Sequence, residues 1–457
     1  MRAVSRGSPT SPIVVYGRPV YSGLMVRVCI DGYNLGLQRG TGIATYGRAL
    51  LETARRLGCQ TEVIYAPTAR RSKSNIVNEA NIIGPGAPPI RRLHEKIIRR
   101  VERQVGSFGA KAWPVDFSGE VLWPEARGGP PAADGLWAAE NIFHRAFRTF
   151  RQTGRPLPIT FDSLEERPAP DIVHWTTAMP LYAPSRTNIY TIHDLIPLKA
   201  PHTTIHDRDA FMKLHSFVAR RADRIAVVSE STRQDVVRLL GVNEDRVSVT
   251  YQTVSIPDRH ARRASSEVAH ELEATFNLGW KDYYIHYGAI EPKKNLGRIV
   301  EAYLSSGSLR PLVIAGGRGW LEDDETALIA QVKKHGSPGA DRIMVMDYVS
   351  QGHLISLIRG ARALLFPSLY EGFGLPVLEA MTLNTAVLTS HAGALPEVAG
   401  QAAIQVDAEN VESIRKSIRA LDEDDHLVEE LQKLGQKQAA KFNAENYEER
   451  LKELYII

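Results

Sequence analysis

The 457 residues carry a formal charge of +4, with 43% hydrophobic and 24% charged residues and two cysteines. That composition excludes wholesale disorder and a disulfide scaffold, and so small a net charge gives no electrostatic sign of a nucleic-acid partner. A chain of this length outgrows a single hydrophobic core, so two domains are expected.

Residues 1–24 place Arg2, Arg6 and Arg18 among Ser, Pro and Gly with no continuous apolar stretch. They read as a poorly ordered leader rather than a signal peptide, with Met25 as an alternative start. "VRVCI" (26–30) is the first strand; a glycine-rich loop leads to a helix beginning near Ile43, and "TEVIY" (61–65) follows. Cys29 and Cys59 lie in apolar contexts near these strands without CxxC spacing, which argues against a zinc site and favours a cytoplasmic chain. Residues 68–160 interrupt the rhythm with "GPGAPP", "ARGGPPAADG" and two helical segments. In the first, Ile90, Leu93, Ile97 and Val101 recur at helical spacing beside Arg92, Lys96, Arg99 and Arg103. This basic amphipathic stretch, 89–104, is either a surface helix packed on the sheet or a peripheral patch that meets anionic lipid, on the inner membrane face, or a phosphate-bearing acceptor.

Strands resume at "DIVH" (171–174), "NIYTI" (188–192), "RIAVV" (224–228) and "RVSVT" (246–250). A polar interval around Pro257 to Ser266 is the expected linker. The second half reads as strands at "YYIHYG" (283–288), "PLVIAG" (311–316), "RIMVM" (342–346), "ALLFP" (363–367) and "AVLT" (386–389), with helices between. Two α/β, doubly wound Rossmann-like domains, 25–258 and 270–440, therefore face a central cleft. The segment 441–457 forms a terminal helix with Leu451, Leu454 and Tyr455 inward. No run of about 18 uninterrupted apolar residues predicts a membrane span.

"SLYEGFGLPVLEAM" (368–381) puts Glu371 in a loop, since Gly372 and Gly374 permit unusual backbone angles, and Glu379 one turn into a helix that Pro376 helps start. Two carboxylates there can grip two polyol regions while loop amides and the helix N-terminus address an anionic middle. A nucleotide sugar has that layout. The residues alone allow a second reading, in which both glutamates merely neutralise a helix terminus.

"EGFGLPVLEAM" resembles the E-x7-E signature of the retaining family 4 glycosyltransferases, which have the GT-B architecture. "GTGIATYGRALLE" (40–52), "YTIHDLIP" (190–197), "RADRIAVVSESTRQDVVRLLGV" (221–242), "YGAIEPKKNLGRIVEAY" (287–303), "LVIAGGRGWL" (312–321) and "LPEVAG" (395–400) resemble the same family in the same order. The likeness covers 25–57 and 170–440, not 68–160. It implies an acceptor-side first domain, a nucleotide-sugar-binding second domain and a terminal helix crossing back to the first. By position, Glu371 matches the glutamate on the donor sugar near the reacting centre, and Glu379 the one on the ribose hydroxyls. Gly372, Phe373 and Gly374 match the loop whose amides touch sugar hydroxyls. Lys294 matches the basic residue on the diphosphate, and His193 the histidine lining the sugar pocket from the opposite domain. Gly42 matches the loop facing phosphates and acceptor. Where many relatives have an arginine this chain has Ala289, which shifts phosphate binding toward Lys293 and Lys294 or Arg318. Asn384 replaces a usual glycine; asparagine tolerates the left-handed turn.

The resemblance thus implies retaining transfer of a hexosyl unit, preferentially mannosyl from GDP-mannose, to a glycan or lipid-linked acceptor in polysaccharide synthesis. No metal or other cofactor is implied, the lysines serving the diphosphate. Alternatives are a catalytically silent nucleotide-binding subunit, or an epimerase or hydrolase of the same architecture.

Overall fold

The computed structural model describes residues 25–35, 42–84, 109–124, 129–205, 207–317, 323–347 and 349–456. The leader 1–24, the basic stretch 89–104, Arg318 and the start of the glycine loop at 40–41 lie outside the described residues.

Among the described residues the strands form two sheets. The first comprises β1 (Arg27–Asp31), β2 (Gln60–Tyr65), β3 (Ala110–Val115), β4 (Gly135–Ala138), β5 (Leu157–Phe161), β6 (Ile172–Trp175), β7 (Leu181–Tyr182), β8 (Thr187–Ile192), β9 (Arg224–Val227) and β10 (Val247–Val249). Its order is β10-β9-β8-β6-β1-β2-β4-β3-β5-β7, parallel except where β3 meets β4. The second holds β11 (Tyr284–Tyr287), β12 (Leu312–Ala315), β13 (Ile343–Met346), β14 (Ala363–Phe366), β15 (Ala386–Ser390) and β16 (Ile404–Val406), all parallel, in the order β13-β12-β11-β14-β15-β16. Parallel strands covered by helices on both faces are apolar throughout rather than alternating. Every residue of β6, β11, β12 and β14 is buried accordingly.

Residues 68–160 are not an interruption: β3, β4 and β5 extend the first sheet from inside that segment. They escape the pattern for local reasons. "AKAWPV" carries Lys111, which is exposed and pairs with Asp162 at 3.0 Å, and Pro114, tolerated because β5 pairs β3 only through Ala110–Ala112. "GLWA" is four residues long and anchored by the Trp137 indole donating to buried Glu62 at 2.8 Å. The interval expected as an irregular linker instead carries a short helix, Asp258–Ala261, and the start of helix Ser265–Phe276. Asn384 adopts φ 58°, the left-handed turn its side chain tolerates. Both cysteines are buried and free.

The terminal helix, Ala444–Tyr455, buries Tyr447, Leu451, Leu454 and Tyr455. It packs against helix Gly42–Arg56 of the first sheet's layer. Arg56 pairs with Glu448 at 3.1 Å, and the Arg224 guanidinium donates to the Glu453 carbonyl at 3.2 Å.

Candidate active site

In each sheet the chain leaves β1 or β11 in one direction and later returns to build the other side, opening a crevice at the strands' carboxyl ends. In the second sheet this switch lies between β11 and β14. The turn after β11 supplies Lys293 and Lys294, and the loop after β14 supplies Glu371. In the first sheet the switch lies between β1 and β6. The helix after β1 begins at Gly42, Thr176 follows β6, and His193 follows β8.

Lys294 ends a single 3-10 turn, and Asn295 at φ 63° redirects the chain into helix Leu296–Ser306. The Asn295 side-chain amide ties that turn to the segments that follow β14 and β16 by donating to the Pro367 and Ala408 carbonyls at 3.0 and 2.7 Å. Buried Lys294 thereby donates to Glu371 Oε1 at 2.5 Å. Lys293 Nζ stands 3.8 Å from Glu371 Oε2 and 3.7 Å from Glu291 Oε2. Behind Glu371, the Ala394 amide donates to its carbonyl at 3.0 Å, and a Cβ on Gly393 would fall 2.3 Å from the same oxygen. Only glycine lets the two loops approach so closely.

Gly374 at φ 106° starts helix Leu375–Thr382, and Glu379, in that helix, accepts the Tyr287 hydroxyl at 2.7 Å. The two glutamates are electrostatic opposites. Burial alone would push Glu371 upward, but Lys294 and Lys293 hold it below the ordinary carboxylate value. Burial pushes Glu379 up, opposed only by the Tyr287 hydroxyl. Burial likewise disfavours the charge on Lys293, yet Glu371, Asp194 and Glu291 together raise it.

The histidine of the facing wall is held by uncharged groups. His193 Nε2 lies 2.8 Å from the Thr176 carbonyl, which can only accept, so Nε2 carries the proton. Burial lowers the histidine's pKa, leaving Nδ1 of the neutral ring as an acceptor. Asp31 holds Thr176 in place by accepting its amide, and burial pushes that carboxyl up to about 6.

The walls touch at Gly372, where a Cβ would fall 2.1 Å from the His193 carbonyl oxygen. Thr232 bridges them, its hydroxyl 3.2 Å from the His193 carbonyl and 3.3 Å from that of Gly372. Glu397 of the second half accepts the amides of Glu230 and Ser231, capping helix Glu230–Leu240 of the first. A cavity of about 720 Å³ results, lined by Gly42, His193, Lys293, Lys294, Glu371, Gly372, Phe373, Gly374 and Glu379. The Phe373 ring itself packs with Phe442 and Tyr251, at centroid distances of 5.7 and 6.4 Å. A second cavity of about 470 Å³ adjoins on the first-sheet side, lined by Tyr33, Phe147, Phe150, Phe211 and Arg151 and sharing His193 and Asp194. Among the described residues, no three His, Cys, Asp or Glu side chains group as a metal site would need.

Residues 273–440 match the family model for glycosyl transferases group 1, and residues 120–256 the model for glycosyltransferase family 4. O-antigen chain mannosyltransferase B of Escherichia coli is 32% identical over 273 residues, covering 58% of this chain and 69% of that protein. The chain is a family 4 glycosyltransferase. It is also 29% identical over 301 residues to the serotype-specific mannosyltransferase WbdA of Escherichia coli, a match covering 61% of this chain but only 36% of that relative's length. Its GT-B fold is shared with sucrose-phosphate synthase from Thermosynechococcus elongatus, at TM-score 0.63 and 14% identity over 94% of this chain and 98% of that one.

In the transferase, the residues picked from sequence thus line one cavity. Sequence reading passed over Asp194, although it sits beside His193 in "YTIHDLIP", and it lines both cavities. Tyr287 and Thr232 were missed too. Their roles depend on partners 92 and 140 positions away, which no local pattern announces.

Proposed function

We propose that the transferase moves a mannosyl unit from GDP-mannose to a hydroxyl of a glycan or lipid-linked acceptor in cell-surface polysaccharide synthesis, with retention of anomeric configuration. The observation that carries this reading is the Lys293–Lys294–Glu371 cluster at one switch point with His193 across the cleft. Donor choice is supported by two relatives named as mannosyltransferases.

On this reading Lys294 and Lys293 neutralise the charge that builds on the departing diphosphate, without a bound metal. Glu371, kept ionised by those lysines, accepts hydroxyls of the donor sugar, while Glu379 accepts those of the ribose. The amides of Gly372, Phe373 and Gly374 face the sugar, and Gly42 faces the phosphates. The bond from the anomeric carbon to the diphosphate oxygen breaks with its electron pair going to that oxygen. The acceptor oxygen bonds to the same carbon from the same face, and its proton passes to the leaving phosphate. His193 Nδ1 accepts a donor-sugar hydroxyl. The aromatic-lined second cavity takes the acceptor, whose apolar sugar faces suit aromatic rings and whose hydroxyls suit Asp194 and Arg151. The reaction runs on the cytoplasmic side; among the described residues no helix is long and apolar enough to cross a membrane.

The test is a panel of nucleotide sugars with glycan and lipid-linked acceptors, the product's anomeric configuration being read by NMR. GDP-mannose turnover to an α-linked product is expected, with a loss of about 10²-fold or more in Glu371→Gln. Turnover undiminished in that variant removes Glu371 from its role, and an inverted product removes the retaining course.

A further inference from the structure

Helix Gly42–Arg56 carries Tyr46 against the active-site histidine: the two ring centroids lie 5.0 Å apart at an interplanar angle of 89°. The Tyr46 hydroxyl is 2.8 Å from Thr191 Oγ1, which is in turn 2.8 Å from His174 Nε2. His174 Nδ1 is 2.8 Å from the hydroxyl of Tyr455, in the last turn of the terminal helix. All four groups are buried, and none of Tyr46, His174 or Tyr455 lines the cavity. Burial takes the His174 pKa down to about 3, so the ring is neutral and has one N–H and one lone pair, both used. A continuous neutral chain therefore runs from the terminal helix to the ring that abuts His193.

We propose that Tyr46 is a positioning residue for His193, its edge-on ring setting the imidazole plane, and that the relay through Thr191 and His174 to Tyr455 makes the terminal helix part of that setting. Among the described residues the His193 ring has a single hydrogen bond, from Nε2 to the Thr176 carbonyl. One bond at Nε2 leaves the ring free to swing about that contact. A perpendicular aromatic neighbour removes the swing, because edge-to-face packing has a preferred geometry. A relay of neutral groups does this without bringing a charge that would change the histidine's protonation. The catalytic consequence rests on the reading that His193 faces the donor sugar; the effect on the ring itself does not.

The experiment uses the full chain. Tyr46→Phe keeps the ring and removes the hydroxyl, and Tyr455→Phe cuts the relay at its far end. Arg56→Ala removes the exposed pair with Glu448 and loosens the same helix outside the relay. Two quantities are read: kcat and KM for the nucleotide sugar that the panel identifies, and the ¹⁵N signals of the His193 ring, assigned by their loss in His193→Gln. Each relay variant should lower kcat about fivefold with donor KM unchanged, and the double variant no further than either alone. The His193 signals should shift from a single Nε2–H form toward a mixture, while Arg56→Ala leaves both readouts at the wild-type value. Wild-type kcat and unchanged ring signals in Tyr46→Phe overturn the proposal, as does an equal loss in Arg56→Ala. If Tyr46→Phe does not fold, Tyr455→Phe carries the same two outcomes. If the wild type turns over no nucleotide sugar, the functional reading fails by itself, and the ring signals still decide this one.

Discussion

The two walls of the cleft solve the same problem with opposite chemistry. The second-half wall is charged: two lysines and Glu371 compensate one another at 2.5 to 3.8 Å, with Glu291 closing the cluster. The first-half wall has carboxyl groups in Asp31 and Asp194, but it orders its histidine with uncharged groups: His193, Thr191, His174 and Tyr46 are held by hydrogen bonds and ring packing with no cation among them. Under the proposed function the difference follows from what each wall meets. The diphosphate brings charge that must be balanced, whereas the sugar brings hydroxyls that must be aligned. A charged wall should fail by losing a partner, and a neutral wall by losing geometry.

The most damaging way to break that contrast is Lys294→Met. Removing one member of a buried pair leaves Glu371 undercompensated, costing about 3 kcal/mol of stability in urea unfolding, and it should cost about 10³-fold in kcat/KM. Adding Glu371→Gln should restore most of the stability and none of the activity. Recovery of both would mean that the pair is only structural. Next in size is Gly372→Ala, which inserts a methyl 2.1 Å from the His193 carbonyl at the point where the walls meet. It should cost about 10²-fold in kcat by misplacing the walls by about an ångström, with a larger radius of gyration in solution scattering. Retention of full activity would place the working geometry elsewhere.

Much of the charged half was readable beforehand. "YYIHYG", "PLVIAG" and "ALLFP" each contain the observed strand within a residue or so of its ends, because strands buried on both faces must be apolar runs. The exception there is β16, a three-residue edge strand too short to stand out. The neutral half was harder. β3, β4 and β5 hide among Gly- and Pro-rich turns, and the wall's order depends on contacts between distant residues. Tyr455 and His174 are 281 positions apart, and the carbonyl that decides the His193 tautomer belongs to Thr176 on another strand's exit. The motif positions of Lys294 and Glu371 were legible, yet their direct pairing across 77 residues was not. A motif names the residue a position needs; which groups already occupy one another is a property of the packed fold.

A smaller effect separates the two glutamates. Burial raises Glu379, so its carboxylate is protonated at a less acidic pH than that of Glu371, which the lysines hold down. If Glu379 accepts ribose hydroxyls, donor affinity should fall on acidification at a pH where Glu371 is still ionised. Glu379→Gln should weaken donor binding about tenfold at neutral pH and flatten that acid limb, as titration calorimetry would read. An unchanged limb would transfer it to another group.

The smallest effect tests the neutral wall alone, through stability against pH. His174 has a folded pKa near 3, whereas an unfolded histidine titrates near 6.5. Between those values the unfolded chain binds a proton that the folded chain refuses, so acid favours unfolding, by up to about 1.4 kcal/mol per pH unit. Asp31 works in the other sense: its folded pKa near 6 exceeds the unfolded value, so the folded chain takes up its proton first as pH falls. The total curve therefore mixes signs, and the informative quantity is the difference between wild type and His174→Gln, which cannot titrate. From pH 6 to pH 5 that difference should shrink by about 1 kcal/mol in urea unfolding, the wild type losing ground to the variant. A difference independent of pH would mean that His174 is charged in the folded chain, and the wall opposite the lysines would then not be neutral.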